Sequence, residues 1–331
     1  MLDPRFRGKT ERVVAIINNK GGVGKSTLTA NLGGLLGHSG WRVLLVDLDH
    51  QGNLGLDYGY RDTAVDDDGK ALSKAINYGE APTPINVRPN VDVLMGGSHL
   101  ELIRSSITPG GRRNGGADPR LTIAEMLVAL DVDSKYDIVL IDCPPSNEEI
   151  QAAAVAAARY VLIPVKTDKA SLEGLILTAN RLQQVIDINP TIDLLGIVLF
   201  DSTTSAVKVR EVFKSQIIQS LIADDAGEAE RSLAEATIFK SFVRHAEAPA
   251  ARARDAGLLM HELDVQVKKE PTFLDRLRAR GKSETPPLKK VQIAATSAGG
   301  VADDFESITK EFVARLSAAE ERNVGEGVAN V

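Results

Sequence analysis

Two groups of residues in this sequence have types and spacings that could do chemistry. The first is the run Lys20-Gly21-Gly22-Val23-Gly24-Lys25-Ser26-Thr27. Glycines at this density let successive backbone N–H groups turn inward around phosphate oxygens. A lysine then neutralises charge on the β- and γ-phosphates, and the hydroxyl beside it, Ser26, is placed to coordinate Mg2+. A turn that merely joined two elements would need neither Lys25 nor Ser26. The second group is Asp47, Asp49 and Asp142, each of which ends an apolar run or lies just beyond it. A lone aspartate there is a common turn residue, and a helix cap is the lesser alternative for Asp49. Their pairing with the phosphate loop is what points to chemistry, because ligands bind in open α/β folds at the carboxyl ends of parallel strands.

The elements that must position these groups follow from the apolar pattern. Residues 12–18 (RVVAIIN) form a short β-branched run leading into the glycine-rich turn, and residues 26–36 have helical composition. Further strands are expected at 42–46, 91–95, 136–141, 160–165 and 194–200, and helices near 121–130 and at 149–158, 170–188, 206–222 and 302–319. Runs that are apolar on both faces and alternate with helices predict a mostly parallel sheet with helices on both sides. The last helix has Phe305, Ile308, Phe312, Val313 and Leu316 at helical spacing, a face that packs on the domain. Segments 61–69, 107–118 and 223–230 look like solvated loops inserted in that frame.

Composition removes whole classes of function. The 331 residues include 43% hydrophobic and 25% charged, the balance of a globular chain. One cysteine, Cys143, permits no internal disulfide and no thiolate cluster for zinc or iron–sulfur within one chain, and it reads as packing in a cytoplasmic protein. No apolar run reaches a membrane span and none at the N-terminus suits a signal peptide. The net charge of −6 argues against coating nucleic acid with the whole surface, yet charge is segregated. Residues 268–290 hold Lys268, Lys269, Arg276, Arg278, Arg280, Lys282, Lys289 and Lys290 against Glu270, Asp275 and Glu284, a net +5 that leaves −11 for the rest. The extra length therefore reads as insertions in a single domain over 1–331, with a basic arm at 1–11, a basic insertion at 262–296 and a frayed acidic tail at 320–331.

The generic P-loop pattern, G-x-x-x-x-G-K-[ST], would need glycine where this chain has Asn19. With Lys20 ahead of its glycines, the loop instead resembles the deviant Walker A motif, XKGGXXK[ST], of the ParA/MinD group of P-loop ATPases. Residues 47–53 (DLDHQGN) resemble the DxDPQGN segment of the ParA/Soj partition ATPases, with His50 where that family has proline. Residues 136–146 (YDIVLIDCPPS) resemble its Walker B segment, and the likeness continues through 161–174 and 196–201, then thins after about residue 220.

This resemblance implies an α/β P-loop NTPase fold, ATP and Mg2+ as ligands, and an ATP-dependent sandwich dimer. Lys20 would reach across the dimer to the partner's ATP, although by residue type alone it is a positive charge beside phosphates or a solvent-facing lysine. Asp49 would orient or activate the attacking water, Asp47 would belong to the metal-side shell, and Asp142 would hold that shell through water. Losing the proline leaves the loop less restrained, so its ordering is expected to depend more on nucleotide. Such ATPases bind double-stranded DNA without sequence preference as ATP dimers, and a ParB-type centromere-binding partner stimulates their weak hydrolysis and releases them from the nucleoid. Candidate DNA contacts are Lys208, Arg210, Lys214, Lys240, Arg244, Arg276, Arg278 and Arg280, any one of which could be ordinary charged surface. The alternative within the superfamily is a MinD-like ATPase that positions division machinery on a membrane, which the acidic, glycine-containing end of this chain does not suit. A reductase like the nitrogenase iron protein would need cluster cysteines that are missing.

Overall fold

In the computed structural model, which describes residues 6, 8–103, 118–223, 225–269 and 295–329, the apolar runs form one eight-stranded sheet. Its strands are β1 (Val13–Ile16), β2 (Val43–Asp47), β3 (Ile85–Arg88), β4 (Val91–Leu94), β5 (Ile138–Asp142), β6 (Tyr160–Lys166), β7 (Asp193–Ser202) and β8 (Ile238–Arg244). The order across the sheet is β3-β4-β2-β5-β1-β6-β7-β8, and every pairing is parallel except β3 with β4. The strand order reverses at β1, which lies between β5 and β6. In open α/β sheets that reversal opens a crevice at the carboxyl ends of the strands.

Strand side chains alternate between two cores because successive residues point to opposite faces. Val13, Ala15 and Ile17 enter one core, which is covered by α3 (Lys70–Tyr78), α4 (Thr122–Ala129), α6 (Glu148–Ala157), α7 (Lys169–Gln183) and α8 (Val207–Leu221). Val14 and Ile16 enter the other, covered by α1 (Lys25–His38), α2 (Leu54–Tyr58), α10 (Glu247–Ala256), α11 (Met260–Lys269) and α12 (Ala295–Ala329). The described residues also include the helices α5 (Val132–Lys135) and α9 (Glu228–Thr237).

Three expectations need adjusting. The closing helix is much longer than 302–319, running from Ala295 to Ala329, so residues 320–329 continue it and are not a frayed tail. Arg12 pairs with Glu320 at 2.6 Å and the Asn323 amide donates to the Tyr160 hydroxyl at 3.1 Å, contacts that anchor this extension to the sheet. Residues 262–269 belong to α11, whose Met260 and Leu263 are buried, so the start of the expected basic insertion is part of the packed domain. The loop expected over 223–230 ends in the first turn of α9. Segment 61–69 is the series of turns anticipated, whereas most of 107–118 and of 268–290 lies outside the described residues.

The far edge of the sheet is closed by α12. Glu311 accepts from the Lys240 and Ser241 N–H groups of β8, both at 2.9 Å, which blunts an edge strand otherwise open to pairing.

Candidate functional site

The register of the central strands sets the site. Ile16 of β1 and Asp47 of β2 both stand opposite Asp142 of β5, so the phosphate loop and two carboxylates emerge side by side at the crevice. The loop runs from β1 into α1, with Gly24 at the helix start in the left-handed region at φ 90°. A Cβ at Gly24 would lie 2.5 Å from the Phe200 ring, so both conformation and space demand glycine there.

Lys25 is buried and its ammonium donates to the Lys20 carbonyl at 3.0 Å. Burial pushes its pKa down, and the nearby charges of Asp142 and Asp49 oppose that shift. Below the loop, the fully buried Asn18 accepts from the Lys20 N–H at 2.8 Å and donates to the Pro164 carbonyl at 2.9 Å, tying the loop to β6. Lys20 itself is engaged within its own chain. Its ammonium meets both oxygens of Asp168 at 2.7 and 2.8 Å, while Asp168 also caps α7 by accepting from the Ser171 N–H at 2.8 Å. Asn18 and Asp168 lie in segments the sequence marks, 12–18 and 161–174, but their roles went unread because the hydrogen bonds that join them to the loop come from tertiary packing.

The three carboxylates have distinct environments. Asp47 is fully buried and receives the N–H groups of Asp49 at 3.0 Å and Leu54 at 3.2 Å, which shapes the loop after β2. Burial and the neighbouring Asp142 hold its pKa well above the usual carboxylate range. Asp49 accepts from the Gln51 N–H at 3.0 Å, and His50 Nδ1 lies 3.3 Å from the same carboxylate oxygen. The Asp49 charge is among those that oppose the burial-driven fall of the Lys25 pKa. Asp49 does not cap α2, which begins at Leu54 after Asn53.

Asp142 is buried, and neither carboxylate oxygen takes part in a well-formed hydrogen bond. Burial raises its pKa to about 7, while Ser26 and Lys25 lie close enough to temper the rise. A buried carboxylate supported only by a neighbouring hydroxyl and ammonium is costly unless further donors satisfy it. A magnesium ion held by the Ser26 hydroxyl, phosphate oxygens and water fits that requirement, since its ordered waters would donate to Asp142. Cys143 beside it is fully buried and burial pushes its thiol pKa up, as expected for a packing residue.

The basic candidates separate sharply. Lys208 and Lys240 are exposed. Arg210 is corrected: it is 9% exposed, donates to the Thr203 and Thr204 carbonyls and stacks on the Phe242 ring at 4.1 Å, so its fork holds a turn together. Arg244 pairs with Asp304 at 2.7 Å, and Lys214 with Glu211 at 3.0 Å. Arg276, Arg278 and Arg280 lie outside the described residues. Two arginines absent from the sequence reading flank the site. Arg254 of α10 bridges Thr27 at 3.0 Å and Asp57 at 2.9 Å, and Arg61 donates to the carbonyls of Gln51 and Gly52.

Among the described residues no helix is long and apolar enough to cross a membrane. Residues 11–194 match the family model of an AAA domain. The chromosome-partitioning ATPase Soj of Thermus thermophilus is 32% identical over 260 residues, covering 75% of this chain and 94% of that one. The chromosome partitioning protein ParA of Caulobacter vibrioides is 33% identical over 227 residues, 64% of this chain and 80% of its own. Among solved structures, a plasmid partition protein of Borrelia burgdorferi bound to AMPPNP has a TM-score of 0.59 at 17% identity, covering 92% of this chain and 99% of that one. Cobyrinic acid a,c-diamide synthase of Mycobacterium smegmatis with ADP and magnesium has a TM-score of 0.57 at 23% identity, covering 85% and 99%. At those identities the structures speak for the fold alone, while the sequence relatives carry the family. The chain belongs to the ParA/Soj family of chromosome-partitioning ATPases.

Proposed function

We propose that the chain hydrolyses Mg2+-bound ATP to drive DNA partition, binding double-stranded DNA without sequence preference as an ATP-bound dimer and leaving it when a ParB-type partner stimulates hydrolysis. The observation that carries this reading is the in-register meeting of the strand ends that carry the phosphate loop, Asp47 and the buried Asp142 at the reversal of strand order, with Asp49 two residues beyond Asp47.

The backbone of residues 21–24, with Lys25, Ser26 and Thr27, cradles the phosphates. Lys25 holds the β- and γ-phosphate oxygens and neutralises charge that develops during transfer. Ser26 and, through water, Asp142 and Asp47 are the residues that would hold magnesium, whose chemistry is to neutralise charge on the β- and γ-oxygens. Asp49 accepts a hydrogen bond from the attacking water and aims it at the γ-phosphorus. Lys20 leaves Asp168 and completes the partner's phosphate site, so that the ATP-bound state is dimeric. The exposed Lys208 and Lys240 neutralise DNA phosphates, and the basic residues between 268 and 290, most of them outside the described residues, are added by residue type alone. This part of the reading rests on residue type and exposure.

The test is fluorescence anisotropy with a labelled duplex of arbitrary sequence, in Mg2+ with ATP, with ADP and without nucleotide. The expected result is tight binding with ATP alone and an affinity that falls steeply with salt through counterion release. Equal binding in all three conditions, or binding insensitive to salt, would overturn the proposal.

A further inference from the structure

We infer that Arg61 is a positioning residue for hydrolysis, acting through the Asp49 loop; the inference rests on the proposed role of Asp49. The loop is short and bent. Gly52 sits at φ 57°, and the Gly52 N–H donates to the Asp49 carbonyl at 3.0 Å. The Gln51–Gly52 peptide is therefore held on its N–H side by Asp49. Its carbonyl side accepts from Arg61 Nη1, which also reaches the Gly52 carbonyl at 3.2 Å. One guanidinium thus grips two successive carbonyls, and the middle peptide of the loop is clamped from both edges.

That clamp bears directly on the carboxylate. Gln51 also donates its own N–H to Asp49 Oδ1 at 3.0 Å, so rotation of the Gln51–Gly52 peptide would disturb the turn that holds Asp49 in place. Glycine at 52 makes such a rotation easy, and this loop has histidine, not a ring-restrained proline, at position 50. Arg61 supplies the missing restraint from outside the loop. It is itself anchored, because its N–H donates to the Gly55 carbonyl at 3.1 Å and its stem closes over Gly55. A substituted Cβ at Gly55 would lie 3.3 Å from the Arg61 Cβ and 3.0 Å from the Tyr60 ring. The arginine is thus pinned to the start of α2 while its fork holds the loop before it.

Arg61→Met keeps the stem and removes the donors; Arg61→Lys keeps one donor group. Single-turnover hydrolysis in Mg2+ and ATP, with the ATP dissociation constant measured separately by competition with a fluorescent analogue, reads positioning apart from binding. Arg61→Met should lower the hydrolysis rate about tenfold, in line with the sensitivity of rates to small misplacements of a catalytic group, and leave ATP affinity within about twofold. Arg61→Lys should recover much of the rate. In an Asp49→Ala background, Arg61→Met should cause no further loss, because the two act as one unit. A parental rate in Arg61→Met, an affinity that falls with the rate, no rescue by lysine, or a further loss in the Asp49→Ala background would each overturn the inference. Parental hydrolysis by Asp49→Ala alone would instead overturn the role of Asp49, so the two failures are distinguishable.

Discussion

Replacing Asp142 with asparagine should stabilise the nucleotide-free protein while disabling it. The folded carboxyl has its pKa raised from 3.8 to about 7, chiefly by burial. Between those values the folded chain binds more protons than the unfolded chain, so stability is highest at the acidic side and falls as pH rises toward 7. Three pKa units at roughly 1.4 kcal/mol each amount to about 4 kcal/mol of destabilisation once Asp142 is fully charged. Asparagine removes that penalty, but its amide brings donors that need partners in the same buried site, at about 1–3 kcal/mol. The net gain above pH 7 is therefore on the order of 1–3 kcal/mol, a rise of about 1–4 °C in Tm for a chain of this size. The assay is equilibrium denaturation of the nucleotide-free protein at pH 5.5, 7 and 8, for parent and variant side by side. The parent should lose stability across that range and the variant should lose much less, with Asp47, relieved of a charged neighbour, also ionising more readily. The second reading is ligand stabilisation: Mg2+ should add to the effect of ATP in the parent and add little in Asp142→Asn. Parallel stability–pH profiles for the two proteins would refute the argument that burial holds the Asp142 carboxyl protonated in the nucleotide-free protein.

Other expectations follow from the same geometry. Lys20→Ala should keep nucleotide affinity largely intact yet fail to dimerise with ATP in light scattering, and a dimer of normal strength would remove its cross-interface role. Asp168→Asn weakens the hold on Lys20 at 2.7 Å and should lower the ATP concentration needed for dimerisation; an unchanged midpoint would mean that this ion pair does not restrain assembly. The paired substitution Lys208→Glu with Lys240→Glu should weaken DNA binding and flatten its salt slope by about two charges, whereas Lys214→Ala, already paired with Glu211, should change it little. A salt slope unaffected by the exposed pair would place the DNA face elsewhere.

Much of this arrangement was legible in the residues because it depends on local pattern. The run 12–18, the glycine-rich turn and the helix after it are contiguous, and each strand that ends near Asp47 or Asp142 is an unbroken apolar run fully buried in the sheet. Such signals survive without tertiary knowledge. The edge was less legible. β3 is only Ile85–Arg88, and its alternation, with Ile85 and Val87 half-buried against the core, is too short to stand out, and α2, α3, α10 and α11 are short. The extension of α12 past Ala319 lacks an apolar stripe as clear as that of Phe305 to Leu316, and the partners of Arg12 and Asn323 hold it in place. The electrostatic partnerships were least legible of all. Arg210, Arg244 and Arg254 look alike in sequence, yet one stacks on Phe242, one pairs with Asp304 and one bridges Thr27 to Asp57. Their partners lie up to 227 positions away in the chain, so composition could count the charges but could not tell which of them faces water.

The central claim is that ATP hydrolysis through Asp49 ends the DNA-bound state. Its most direct test is the lifetime of the protein on a surface-tethered, arbitrary duplex after ATP is washed out, compared between the parent and Asp49→Ala in the same Mg2+ buffer. The account predicts that the variant loads onto DNA with ATP as the parent does and then remains at least about tenfold longer, since loss of a group that positions the attacking nucleophile slows turnover by that order or more. Equal lifetimes, with equal ATP loading, would contradict it.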